Sequence, residues 1–152
     1  GNKKITSVII GDNITSVSNK AFKGCTKLAT VKMGSGIKSI GKETFSGCKA
    51  LTSVTIGSNV TTIGDKAFKG CTKLSKVTIT KKVTKIDKNA FDGCKKLKTI
   101  TIKSTKLKTV GKNALKGINK KAIIKVPKNQ LSKYKKLFKS STGFKKTMKI
   151  KK

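Results

Sequence analysis

The chain has 152 residues, 38 of them basic and all of those lysine, against five acids, so its formal charge is +33; it contains neither arginine nor histidine. Without histidine and with only Asp12, Glu43, Asp65, Asp87 and Asp92 as acids, general acid–base catalysis has almost nothing to work with, and the chain reads as non-catalytic. The lysines predict attraction to polyanions, while the lack of arginine counts against sequence-specific nucleic-acid binding, where bidentate reading of guanine is mostly arginine work.

The length suits one domain, 1–152, and no apolar run is long enough to cross a bilayer. Gly1 reads as a residue left by tag removal. The repeating pattern starts at Ile5, in mid-unit, so the chain is expected to be cut from something longer that carried a secretion signal. From there one unit recurs every 23 residues, seen in Gly24-Cys25, Gly47-Cys48, Gly70-Cys71 and Gly93-Cys94 and in Leu28, Leu51, Leu74 and Leu97. Such an array predicts a solenoid whose units cannot stand alone and whose core runs along a line.

Within each unit the first element is a strand. Leu51, Val54 and Ile56, like Leu74, Val77 and Ile79, follow the pattern L-x-x-V-x-I, whose last three positions alternate apolar and polar and favour β-branched residues. Strands repeated in this way stack in parallel. A polar turn such as Gly57-Ser58-Asn59 follows, then a second apolar pair, Val60 with Ile63 or Val83 with Ile86, which packs back toward the strand. The segment Ala67-Phe68-Lys69-Gly70-Cys71 is too short for an independent helix and predicts a single helical turn on the outer side, ended by the glycine. Phenylalanines in this fixed apolar register form a core ladder rather than a stacking platform for bases or sugars. The cysteines, one repeat apart, lie in a row with parallel side-chain directions; they cannot converge on one metal and are badly aimed for disulfides, so a ladder of buried free thiols is expected, with no metal and no cofactor.

The fifth unit departs from the pattern. One residue is inserted near 104–108, Leu115 replaces the phenylalanine and Ile118 the cysteine. Ile124 and Val126 form a sixth strand and Pro127 stops the array, so the repeats span 5–126. In 127–152 the period becomes helical. Leu131, Tyr134, Leu137 and Phe138 share one face, which predicts an amphipathic helix from Lys128 to about Ser140, read as the C-terminal cap that a solenoid needs; a basic helix lying on a membrane surface is the competing reading. After Gly143 an extended piece with Met148 and Ile150 runs out into lysines.

The unit, with its L-x-x-V-x-I, its V-x-x-I-G in Val60 to Gly64 and its A-F-x-G-C, resembles the BspA-like, or Treponema-type, leucine-rich repeat over residues 5 to about 126. The resemblance implies an α/β leucine-rich-repeat solenoid with parallel strands on the concave face and short helical turns outside. It also implies a bacterial cell-surface or secreted protein used for adhesion. On that basis the exposed concave columns are the candidate ligand face, with Lys32, Thr55, Lys76, Thr78, Thr99, Thr101 and Lys125 as candidate contacts for a host or neighbouring-cell surface protein or an anionic glycan. A second reading makes the lysines themselves the binder of anionic wall polymer, nucleic acid or membrane, through Lys135, Lys136, Lys145, Lys146 and Lys149. A third makes the chain a structural spacer of a longer surface protein.

Overall fold

The computed structural model describes residues 1–152. Three hydrogen-bonded ladders run along the solenoid. The first is the concave one, with strands β1 (Ser7–Ile10), β2 (Thr30–Met33), β4 (Ser53–Thr55), β6 (Lys76–Ile79), β8 (Thr99–Ile102) and β10 (Ile123–Lys125). All pairs are parallel and in repeat register: Val54 lies beside Val77, Val77 beside Ile100 and Ile100 beside Ile124. Those inward positions are buried while their neighbours face solvent, as the alternation in the chain requires.

The second apolar pair forms a sheet of its own, a level of order that two residues per repeat are too few to announce. β3 (Ser39–Ile40), β5 (Thr62–Ile63), β7 (Lys85–Ile86) and β9 (Thr109–Val110) pair in parallel, with Ile40, Ile63 and Ile86 stacked inward.

The outer side carries the third ladder. The expected helical turn is two successive tight turns: Lys69 N–H donates to Lys66 O and Cys71 N–H to Phe68 O, both near 3.1 Å. In between, alternate amides point at the next repeat, Lys66 to Lys88 O, Phe68 to Ala90 O and Gly70 to Asp92 O at 2.8–3.1 Å. This geometry needs a left-handed residue at each end, Lys66 at φ 55° and Gly70 at φ 71° in this unit. A non-glycine residue there is strained by about 1–2 kcal/mol, offset by the inter-repeat bonds it makes possible. Gly1 falls 23 residues before Gly24, and a Cβ on it would meet Gly24 C and O at 2.4 Å. Gly1 thus stands at the position that the glycine column takes in the later repeats.

Inside the three ladders lies one continuous cluster of 37 buried apolar residues, so no single repeat owns a core. Phe22, Phe45, Phe68 and Phe91 stack with centroids 5.4 Å apart at each step, the core column expected from their register. The four thiols line up beside them, each of the last three donating to the carbonyl of a phenylalanine one repeat back: Cys48 to Phe22, Cys71 to Phe45 and Cys94 to Phe68, at 3.1–3.2 Å. Burial pushes Cys48 and Cys94 up to about 12 and Cys71 well above the thiol range. A thiol-specific reagent at pH 8 should therefore label none of these three until the chain is unfolded; rapid native labelling would mean an exposed column. Because the folded state holds these protons more tightly than the unfolded one, the stability they contribute is complete below about pH 8.5 and is lost as pH rises toward 12. Comparison with Cys71→Ala isolates the share of that slope that belongs to Cys71.

The array is closed by 127–152. A 3-10 turn, Lys128–Gln130, leads into helix α1, Leu131–Leu137, which is shorter than the sequence predicts. Tyr134 is its one buried residue, Phe138 just past its end is buried beside it, and Leu131 and Leu137 are only half-buried. A second 3-10 turn, Ser140–Thr142, takes the place of a sixth outer turn: Asn113 N–H donates to Ser141 O at 2.9 Å and Leu115 N–H to Thr142 O at 2.8 Å. The donors that would otherwise end unpaired at the last repeat are thereby satisfied. Gly143, at φ 87°, permits the close approach, since a Cβ there would meet Lys116 N at 2.5 Å. The inserted residues form the latch. Ser104 is buried, its Oγ donates to Val83 O at 2.7 Å, and its carbonyl accepts from the Tyr134 hydroxyl, while Lys133 Nζ reaches Thr105 O at 2.7 Å.

Candidate ligand-binding face

The final extended piece does not trail away. β11, Lys149–Lys151, pairs in parallel with β10 and becomes the last rung of the concave sheet, with Lys149 beside Ile123 and Lys151 beside Lys125. Two outward columns result. One runs Ser53, Lys76, Thr99, Ile123, Lys149; the other runs Thr55, Thr78, Thr101, Lys125, Lys151. Lys76, Lys125, Lys149 and Lys151 are exposed, and Thr78, Thr99 and Thr101 are half-exposed between them. Lys32 and Thr55 are exposed on the rungs nearer the N-terminal end.

The two sets of candidate residues are thus partly one. Lys149 joins Lys125 on the concave sheet, and together with Lys121, Lys151 and Thr147 they surround Ile123; a recess of about 500 Å³ is lined by Lys121, Ile123, Thr147, Lys149 and Lys151. Lys135, Lys136, Lys145 and Lys146 are exposed but lie off that sheet, and Lys136 borders a separate hollow with Lys108 and Lys139. Sequence reasoning alone does not single out Lys121 or Lys151. The signal was present in Met148-Lys149-Ile150-Lys151, which repeats the strand's alternation of inward apolar and outward polar residues.

The acids stand elsewhere. Asp92 pairs with Lys69 at 3.1 Å and Asp87 with Lys85 at 2.9 Å, and Glu43 meets Lys23, all outside the concave strands. The Lys23 ammonium holds the Glu43 carboxyl below the usual range. Asp12 accepts from the backbone N–H and Oγ of Ser35, at 2.6 and 2.8 Å, and those bonds lower it as well. No acid sits on β1, β2, β4, β6, β8, β10 or β11, so the lysines there have no counterion within the sheet. Lys125 and Lys151, side by side on adjacent strands, repel one another at a strand spacing of about 4.8 Å. An anion placed between them relieves that repulsion.

The BspA type Leucine rich repeat region family matches the chain over residues 1–120 and 61–151, in six copies. Among solved structures, a leucine-rich repeat protein from Bacteroides ovatus is similar at 30% identity over 82% of this chain, with a TM-score of 0.68. A leucine rich cell surface protein from Faecalibacterium prausnitzii is similar at 34% identity over 66% of this chain, with a TM-score of 0.64. This chain spans 34% and 27% of those two proteins' lengths. A leucine rich repeat protein of T. pallidum shares the fold at 21% identity, TM-score 0.72, over 88% of this chain and 71% of its own. No curated protein matches the chain.

Proposed function

We propose, from the premise that the chain belongs to the BspA type leucine-rich repeat family, that it is a non-catalytic binding module of a cell-surface or secreted protein and that its concave sheet engages an anionic partner. The observation that carries this is the distribution of charge on that sheet, where threonines give way to lysines along the stacked rungs toward the C-terminal end and no acid intervenes. The similarity to a protein described as a cell surface protein supports the location. The charge supports the C-terminal half as the stronger end: residues 77–152 carry a net +23 and residues 1–76 a net +10.

An anionic polysaccharide suits this face better than nucleic acid. The only large apolar side chains standing well exposed are Ile9 and Ile14, so the surface offers no aromatic on which a base would stack. The membrane reading loses its apolar stripe, because Tyr134 and Phe138 are turned into the cap. Lysine contacts act through screened attraction and counterion release, so affinity for a sulfated polysaccharide should fall about tenfold or more between 50 and 200 mM salt. Binding measured by isothermal titration at the two salt concentrations checks this; an unchanged affinity contradicts the charge-driven mode.

A further inference from the structure

One step of the concave ladder is not made. Between the first two strands Ala29 N–H donates to Thr6 O at 2.8 Å; between β4 and β6 Ser75 N–H donates to Thr52 O at 2.8 Å; between β6 and β8 Lys98 N–H donates to Ser75 O at 3.0 Å. Thr52, Ser53 and Gly57, at the corresponding places between β2 and β4, donate to nothing across the step, and the sheet divides there into β1–β2 and the five strands from β4 onward. The neighbouring ladders hold. Thr61 N–H reaches Lys38 O at 2.9 Å, Phe45 N–H reaches Ala67 O at 2.8 Å, and the Phe45 and Phe68 rings keep the 5.4 Å spacing. The step therefore opens as a wedge toward the concave side only.

The opening is a cavity of about 310 Å³, lined by Ala29 to Met33 on one wall and Thr52 to Thr55 on the other. Val31 and Val54 are buried beneath it, and Thr30, Lys32, Ser53 and Thr55 stand exposed around its mouth. Around this exposed mouth the backbone groups that a closed ladder would pair are left to solvent, and so are open to a ligand. A further strand inserted between them would hold β2 and β4 about 9.6 Å apart, whereas they keep Cα atoms within 8 Å, so the occupant lies across the mouth of the wedge and reaches in with its polar groups. A bare phosphate or sulfate uses the amides but leaves the carbonyls unmet. The occupant must donate and accept at short intervals around a small body with an apolar face.

We infer that this wedge binds one sugar unit carrying a carboxylate, its ring hydroxyls meeting the unpaired backbone groups of β2 and β4 and its carboxylate meeting Lys32. The inference stands on the broken ladder and is independent of the lysine-rich end of the sheet, which lies rungs away. The test is an amide-resolved NMR titration of the full chain with glucuronate and, in parallel, glucose, each at low and high salt, repeated on Lys32→Gln. Saturable shifts confined to about residues 29–33 and 52–57, retained at high salt, with glucuronate preferred over glucose and that preference reduced at least threefold in Lys32→Gln, support the site. Shifts at Lys125, Lys149 and Lys151 alone, or spread over all lysine-bearing rungs and abolished by salt, would mean charge attraction only and overturn it while leaving the proposed function standing. Absence of any shift overturns it too. So does hydrogen exchange at Thr52 and Ser53 as slow as at Ser75 in the free protein, which would mean that the ladder is closed in solution.

Discussion

Phe68→Ala lowers the unfolding free energy by about 3–5 kcal/mol, among the largest effects of any single truncation in the array. The ring has no solvent exposure and is stacked on both sides at 5.4 Å, so its removal strips contacts from Phe45 and Phe91 together. Three hydrogen-bonded ladders hold the surrounding backbone at the repeat spacing, which limits collapse into the cavity and keeps the cost near the upper end of the range. Phe22→Ala is the internal control. Phe22 is only half-buried and has a stacking partner on one side alone, so the same change there costs markedly less. Denaturant unfolding of the two variants checks both figures, and a cost below about 1 kcal/mol for Phe68→Ala would mean that the column is not core.

Tyr134→Ala costs about 3–5 kcal/mol and does so by undocking the cap. Its ring is fully buried, it packs near Phe138 with centroids 6.4 Å apart, and its hydroxyl donates to the Ser104 carbonyl in the inserted segment. Once α1 lifts, the amides of Asn113 and Leu115 lose Ser141 and Thr142 as acceptors, so amide exchange there should quicken along with the fall in global stability. Tyr134→Phe keeps the packing and leaves only the Ser104 carbonyl short of a donor, for a loss of about 1–2 kcal/mol. Leu137→Ala, by contrast, touches a half-buried side chain and costs about 1 kcal/mol; the sequence alone, placing Leu137 on the inward face, predicts 2–5 kcal/mol for the same change. If Tyr134→Ala leaves stability unchanged, the C-terminal segment is not the cap.

The elements that were legible in the chain are those that repeat. Leu51, Leu74 and Leu97, the phenylalanine column and the cysteine row occupy identical surroundings in successive units, so each copy testifies for the others and the apolar register could be read directly. Features that occur once had no such support. The insertion at 104–108 looks like decay of the pattern, although Ser104 is a buried anchor for Tyr134. Met148-Lys149-Ile150-Lys151 looks like a basic tail because five of the eight residues from 145 to 152 are lysine, and only the register with β10 reveals a strand. Helical periodicity places Leu137 inward, but the helix is one turn shorter than the periodicity allows, and Phe138, after its end, takes the buried place. The wedge between β2 and β4 has almost no signature, since Met33 in the place of an isoleucine is the sole departure within either strand's inward positions.

The central claim is that the concave lysines, rather than the net charge of the whole chain, engage the anionic partner. Affinity for a sulfated polysaccharide should be compared in two triple variants of equal charge, Lys125→Gln with Lys149→Gln and Lys151→Gln on the concave sheet, and Lys20→Gln with Lys88→Gln and Lys112→Gln on the outer turns. At about 100 mM salt the concave variant should bind at least tenfold more weakly than the outer one, with a shallower dependence on salt. Equal losses in the two variants would contradict the claim and leave a surface that attracts polyanions by charge alone.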